Sequence, residues 1–322
     1  MMSFKKIVVT GGNGFLGKSV CRKLRKNKEY DVHCLYGKQH WDLTNQKQVD
    51  YLYKEQKPDV IVHLAARVGG IGVNKANPGL FFYENLAMGM NLIETARKYG
   101  KLKKFIMIGT VCSYPKYTPV PFKEESLWSG YPEETNAPYG ISKKTLTEML
   151  AAYNQQYGLN CTNLIPVNMY GPHDNFNPES SHVIPALILK FAKAIENDEK
   201  EVKVWGTGKA SREFLYVDDC AEAIKRSVEI DTSPEPINIG TGSEISIFNL
   251  AEKIKDLMGY KGDIVFNSNG LDGQPRRCLD TSKAKQILGF EAETKFKKGL
   301  GNTVDWYYKN KEKFVDYFDH IQ

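Results

Sequence analysis

Tyr139 and Lys143 stand four residues apart in the run Ala137-Pro138-Tyr139-Gly140-Ile141-Ser142-Lys143. On a helix, residues at that spacing are surface neighbours. An ammonium beside a phenol favours the ionised form, so the spacing predicts a lowered Tyr139 pKa. Such a phenol exchanges a proton with a carbonyl or alcohol oxygen near neutral pH. Beside a nicotinamide, that is the equipment for ketone reduction. Tyr-x-x-x-Lys also arises by chance on many helices, so its meaning depends on the rest of the chain.

Far upstream, Ile7-Val8-Val9-Thr10 leads into Gly11-Gly12-Asn13-Gly14-Phe15-Leu16-Gly17. An apolar strand, a Gly-rich turn and the start of a helix is the context of a dinucleotide site. Gly11, Gly14 and Gly17 permit the tight turn and the approach of backbone to pyrophosphate, and the helix N-terminus faces the phosphates. The next strand separates NAD from NADP. An NAD site usually ends it with an acid for the ribose 2′-hydroxyl. Here it reads Asp31-Val32-His33-Cys34-Leu35-Tyr36-Gly37-Lys38 and ends without one. Lys38 suits a 2′-phosphate, which predicts NADP(H); a solvated loop lysine is the plain alternative. Asp42 lies where an acid reaches the adenine.

The elements that position these residues follow from hydrophobic periodicity. Strands are expected at 6–10, 31–35, 60–64, 104–109 and 160–166. Helices are expected at 14–26, 46–55, 80–99 and 139–157. Continuous Val/Ile/Leu runs alternating with helices predict an α/β fold with a Rossmann-type doubly wound parallel sheet. After Tyr170 a polar loop rich in breakers, 171–181, is followed by a helix at 185–197 and a strand at 203–205. Strands at 214–217 and 237–239 are expected to return to the first domain. The remainder predicts a helix at 247–258, a strand at 263–266, and helices near 282–288 and 300–309. The expected division is 1–168 plus about 213–240 for the cofactor, and 169–212 plus about 241–322 as a smaller, discontinuous α/β substrate domain. The active site falls between them.

Composition sets the class. The chain has 322 residues, 41% hydrophobic and 25% charged, as soluble globular proteins do. No apolar run is long enough for a membrane span. The N-terminal apolar run breaks at Thr10-Gly11-Gly12, which reads as a buried strand and not a signal peptide. The net charge of +6 is dispersed. Without a basic stripe interleaved with aromatics, nucleic acid is not an expected partner. Modest positive charge suits an anionic dinucleotide or nucleoside diphosphate. Cys21, Cys34, Cys112, Cys161, Cys220 and Cys278 show no metal spacing. All but Cys112 read as ordinary thiols, which predicts a reducing, cytoplasmic compartment and no metal.

The chain resembles the extended short-chain dehydrogenase/reductase family, and within it the nucleotide-sugar branch that forms GDP-L-fucose. The resemblance rests on Ala65-Ala66-Arg67-Val68-Gly69-Gly70-Ile71, Gly109-Thr110-Val111-Cys112-Ser113-Tyr114-Pro115, the Tyr139–Lys143 run, and Asn168-Met169-Tyr170-Gly171-Pro172-His173-Asp174-Asn175-Phe176. It continues through Ser181-His182-Val183-Ile184-Pro185-Ala186-Leu187, Val204-Trp205-Gly206-Thr207-Gly208, Arg212-Glu213-Phe214-Leu215 and Asp272-Gly273-x-Pro275-Arg276. These segments keep the family's order across nearly the whole chain.

The resemblance implies NADPH-dependent conversion of GDP-4-keto-6-deoxy-D-mannose to GDP-L-fucose, by epimerisation at C3 and C5 and reduction at C4. It implies Cys112 as base and His182 as acid. A thiolate and an imidazolium have suitable acidities. Taken singly, Cys112 reads as a small buried hydrophobe and His182 as a helix-capping residue. By the same resemblance Tyr139 protonates the C4 oxygen and Lys143 holds the nicotinamide ribose. Thr110 stands where the family commonly has Ser; it keeps the hydroxyl and adds a methyl. The cofactor site gains Asn13, Phe15, Leu16, Leu64, Ala65, Ala66, Pro166 and Asn168. The substrate site takes Arg212 on the diphosphate, with Trp205, Val183, Leu187, Asn168 and Arg277, the last where the family often has Lys. Trp205 as core and Arg277 as a surface charge are the plain alternatives. A homodimer through helices 80–99 and 139–157 is also implied. Two other functions are open: a C4-reductase of a related GDP-4-keto sugar, giving for example GDP-D-rhamnose, and a non-catalytic NADP-binding protein.

Overall fold

The computed structural model describes residues 5–267 and 274–320. Asp272 and Gly273 of the last motif lie outside the described residues. The first half alternates β1 (Lys5–Thr10), α1 (Phe15–Leu24), β2 (Tyr30–Cys34), α2 (Gln46–Gln56), β3 (Val60–His63), α3 (Ile71–Ala76), α4 (Pro78–Tyr99), β4 (Lys104–Ile108), α5 (Ala137–Tyr157) and β5 (Cys161–Pro166). Then come β6 (Asn168–Tyr170), α6 (Val183–Glu196), β7 (Glu201–Trp205), β8 (Ser211–Tyr216), α7 (Val217–Glu229), β9 (Pro236–Ile239), β10 (Glu244–Ser246), α8 (Ile247–Met258), β11 (Asp263–Asn267), α9 (Ser282–Leu288) and α10 (Phe296–Lys309).

Six parallel strands form the central sheet in the order β2-β1-β3-β4-β5-β9. Side chains alternate across it, because successive residues of a strand point to opposite faces. Ile7, Val9, Val60 and Val62 pack with α1 and α7 residues such as Val20 and Ile224. Val8, Ile61, Phe105 and Met107 pack on the other face with Leu52, Leu92 and Leu146 from α2, α4 and α5. Both faces are covered, which is why these strands read as unbroken apolar runs. Strand order reverses between β1 and β3, and the crevice at the carboxyl ends of strands beside such a point is where open α/β sheets bind ligands.

A separate core joins α6, α8 and α10 through Ile188, Phe191, Leu250, Ile254 and Tyr307. Beside it β10-β8-β6 and β11-β7 form two small sheets. Here one expectation is corrected. β9 joins the central sheet, but β8 pairs with β6 and β10. The sequence predicts a strand at 214–217, where β8 ends at Tyr216; a local pattern cannot select which edge the strand finds. The sequence reading also missed α3, β6, β10 and α7: the first three are too short for a clear period, and α7 follows β8 without a break, at Val217 directly after Tyr216. Among the described residues no helix is long and apolar enough to cross a membrane.

The cysteine reading is corrected too. Cys21 of α1 and Cys34 at the end of β2 form a disulfide. The other four are free, and Cys161, Cys220 and Cys278 are buried. The paired cysteines are thirteen positions apart in sequence, but only the packing of α1 against β2 makes them neighbours.

Candidate active site

One cavity of about 1330 Å³ runs from the carboxyl ends of β1, β3, β4 and β5 to the face formed by α6, β7 and β8. Single-ligand sites run to about 300–1,000 Å³, so it has room for a dinucleotide and a second ligand. All residues that the sequence assigned to catalysis, cofactor and substrate line it.

At one end the Gly-rich turn meets α1. Gly11 has φ +69°, and a Cβ there would sit 2.8 Å from the Ala65 nitrogen. At Gly17 a Cβ would sit 2.8 Å from the Gly12 Cα. α1 opens after Gly14 with no side chain capping it. Its first N–H groups suit an anionic oxygen. The residues therefore fit a dinucleotide pyrophosphate. Lys38 lies beside this end, 58% exposed, with its Nζ 2.8 Å from Glu84 Oε1. Glu84 also pairs with Arg67. The two cations hold the Glu84 carboxyl below its ordinary range, chiefly through Arg67. Arg67 and Glu84 were not assigned to the site from the sequence, because α4 meets the β2 loop only in the tertiary fold. The Asp42 carboxylate accepts from the Thr44 backbone and hydroxyl at 3.0 and 2.6 Å.

The central part of the cavity holds Thr110, Cys112, Tyr139 and Lys143. Thr110 follows β4, and its Oγ1 accepts from the Cys112 backbone N–H at 3.2 Å. That bond caps a one-turn helix over Val111–Ser113 and leaves Cys112 half-buried on the cavity wall. α5 packs directly on this turn: Ser113 Oγ donates to the Gly140 carbonyl at 2.8 Å. Tyr139 is thus brought toward Thr110, whose hydroxyl acts to lower the phenol pKa. The expectation of a lowered Tyr139 pKa is overturned. Burial raises it above the ordinary phenol range, and the neighbouring Cys112 adds to the rise. Lys143 is only 2% exposed. Burial lowers its own pKa to about 8, and its charge acts on His63, buried under the site. Burial of both groups, and not the ammonium of Lys143, sets the acidity of the phenol. A neutral phenol suits proton donation to a ketone oxygen.

His182 is the residue before α6, where a capping side chain is expected, yet its side chain makes no cap hydrogen bond. His182 is exposed and lines the cavity. Burial lowers the imidazole pKa, and Arg277 lowers it further. Arg277 itself is 7% exposed, which removes the surface-charge reading. Trp205 is 69% exposed on the far wall, which removes the core reading. The Lys190 Nζ lies 5.1 Å from its ring centre. Arg212 donates to the Ser211 carbonyl at 2.7 Å, and Asn168 to the Glu213 carbonyl at 3.4 Å. Lys190, Gln274 and Asp174 were missed as lining residues. Lys190 had a signal, since it lies two turns beyond His182 on a helix whose first turn was already assigned. Asp174 is buried, and its Oδ2 has no partner.

A doubly wound parallel sheet, a Gly-rich turn at its switch point and a Tyr/Lys pair on the cavity wall define a nucleotide-dependent oxidoreductase or epimerase class. Residues 7–240 match the model of the NAD dependent epimerase/dehydratase family, and the chain belongs to that family. It is 39% identical over 309 residues to the probable GDP-L-fucose synthase 1 of Oryza sativa subsp. japonica, covering 95% of this chain and 92% of that protein. A GDP-6-OMe-4-keto-L-xylo-heptose reductase from C. jejuni superposes with a TM-score of 0.88 at 30% identity, covering 96% of this chain and 99% of the other. A GDP-L-fucose synthetase from Naegleria fowleri bound to NADP gives 0.85 at 30% identity, with 96% and 95% covered.

Proposed function

We propose that this chain converts GDP-4-keto-6-deoxy-D-mannose to GDP-L-fucose by C3/C5 epimerisation and NADPH-dependent C4 reduction. One observation carries the reading. Cys112 and His182, on separate elements, line the same cavity as Tyr139 and Lys143. Reduction alone needs neither of the first two. The C4 ketone acidifies the protons at C3 and C5. Cys112 removes a proton, and His182 returns one. Tyr139, held by Thr110, steadies the enolate oxygen and later donates its proton to that oxygen. Lys143 orients the ribose. Bound along the Gly11–Gly17 turn, NADPH supplies the hydride for C4, with Lys38 and Arg67 at the 2′-phosphate. Arg212, Lys190 and Trp205 hold the GDP end.

The second reading, a C4-reductase without epimerisation, has support from the C. jejuni reductase likeness. Incubation with GDP-4-keto-6-deoxy-D-mannose and NADPH in deuterated water separates the two. The proposed reaction gives GDP-L-fucose labelled at C3 and C5. Product unlabelled at both carbons would sink the epimerase half, and no NADPH oxidation would sink the whole reading.

Three further parts belong to this proposal. The division into 1–168 plus 213–240 and 169–212 plus 241–322 is supported by the separate core of α6, α8 and α10, although β8 sits with the second part. A homodimer through α4 and α5 is supported by exposed Leu80, Tyr83, Met90 and Tyr157; native mass spectrometry tests it. A cytoplasmic location would keep the Cys112 thiol reduced, while the Cys21–Cys34 disulfide counts against that compartment.

A further inference from the structure

Arg277 is a buried cation whose side chain has two partners, neither a carboxylate. Its Nε donates to Gln274 Oε1 at 3.1 Å, and its Nη1 points at Cys112 Sγ at 3.7 Å. Among the described residues none of the ion pairs includes it. A buried guanidinium without an anion is costly. Gln274, 4% exposed, donates in turn to the Lys116 carbonyl at 2.8 Å and the Pro115 carbonyl at 3.4 Å. Residues 274 and 277 therefore hold the loop that carries Cys112 at two points. Their own backbone is anchored. The Ser211 N–H donates to the Pro275 carbonyl at 2.9 Å, the Glu213 N–H to the Arg277 carbonyl at 3.0 Å, and the Phe122 N–H to the Cys278 carbonyl at 2.8 Å.

We propose that Arg277, braced by Gln274, is the positioning residue for Cys112: it aims Sγ into the cavity and supplies the counter-charge of the thiolate. The sequence reading gave Arg277 to the substrate. The geometry gives its nearest contact to the cysteine instead. A guanidinium N–H interacts more strongly with a thiolate than with a thiol. When Cys112 takes a proton, the C–H bond breaks, an S–H bond forms, and the electron pair passes to the C4 oxygen. The charge facing Arg277 is then lost, and it returns when the thiol is deprotonated again. Lysine at this position would supply charge without the fixed fork that reaches Gln274 and Cys112 together.

The inference rests on the epimerase reading, and its test does not depend on turnover. Alkylation of Cys112 by iodoacetamide is followed by peptide mass in the NADP⁺-loaded protein without sugar. Cys161, Cys220 and Cys278 are buried, and the peptide readout separates them. Arg277→Met is expected to slow Cys112 alkylation about tenfold, and Arg277→Lys to recover most of the rate. With substrate, Arg277→Met is expected to lower kcat for C3/C5 exchange more than it raises KM. Arg277→Gln, which keeps a hydrogen-bonding side chain, serves if the methionine variant does not fold. Wild-type alkylation in a folded neutral variant overturns the proposal, as does a pure KM effect, which would return Arg277 to substrate binding. If the wild-type protein shows no C3/C5 exchange but the alkylation difference is present, the function reading fails and the Arg277–Cys112 pairing stands.

Discussion

Replacing Gly140 by alanine tests whether the contact between α5 and the Cys112 turn sets the catalytic geometry. A Cβ at Gly140 would sit 2.9 Å from the Cys112 carbonyl carbon and closer still to its oxygen. Ordinary contact begins near 3.4 Å. The carbon alone requires about 0.5 Å of movement (3.4 less 2.9), and the oxygen more. Both partners are backbone, so no rotamer change relieves the clash. α5 and the turn must separate by roughly 1 Å, and a misplacement of that size costs about 10²-fold in rate. Two stability effects oppose each other. Alanine favours the helix by about 1 kcal/mol, and overpacking costs about 1–3 kcal/mol. The balance is a loss of about 1 kcal/mol, a fall of a few degrees in Tm. The expected outcome is about 10²-fold lower kcat for both exchange and reduction, with a smaller loss of NADPH affinity, because α5 carries Lys143 but not the Gly11–Gly17 turn. The assays are NADPH oxidation, solvent deuterium incorporation, and nucleotide titration by fluorescence. Wild-type kcat in a folded Gly140→Ala protein would refute the claim that this contact positions Tyr139 against Thr110 and Cys112.

Tyr139→Phe removes the proton donor; C4 reduction is expected to fall about 10²–10⁴-fold while fluorescence titration shows NADPH still bound. Gly11→Ala forces a side chain into a left-handed backbone (φ +69°) against Ala65; isothermal titration is expected to show NADPH affinity lowered about 5–30-fold, from strain of about 1–2 kcal/mol. Asp174 is buried with its carboxyl raised from 3.8 to about 7, so folding favours its protonated form. That contribution is full below about pH 4 and is lost as pH rises through about 7. Asp174→Asn is therefore expected to melt progressively higher than wild type from pH 4 upward and to level off above pH 7. The gain has a ceiling of about 4 kcal/mol, from a shift of about three units. Parallel melting curves at all pH values would remove Asp174 as the titrating group.

The reach of the sequence is seen at particular residues. The apolar run of β1, the glycines after it and the Tyr139–Lys143 helix were legible because each is a short-range pattern with its own physical signature. Cys112 and His182 were legible only through their motifs, since either residue type alone is more often structural. The acidity of Tyr139 was read in the wrong direction, because a spacing of four reports a neighbour but not the desolvation of both groups. Lys38 was placed at the right end of the cavity, yet its partner Glu84 comes from another helix.

The sequence by itself determined most of the strands and helices and where the Gly-rich turn lies, and it marked the side chains proposed to carry chemistry. Those properties depend on residues a few positions apart. The tertiary structure alone decided that β8 leaves the central sheet, that Cys21 pairs with Cys34, that burial raises Tyr139, and that Arg277 faces Cys112 across 165 positions of chain. Burial and long-range contact are set by how elements pack, and no local pattern records which distant residue will fill the space beside a given side chain.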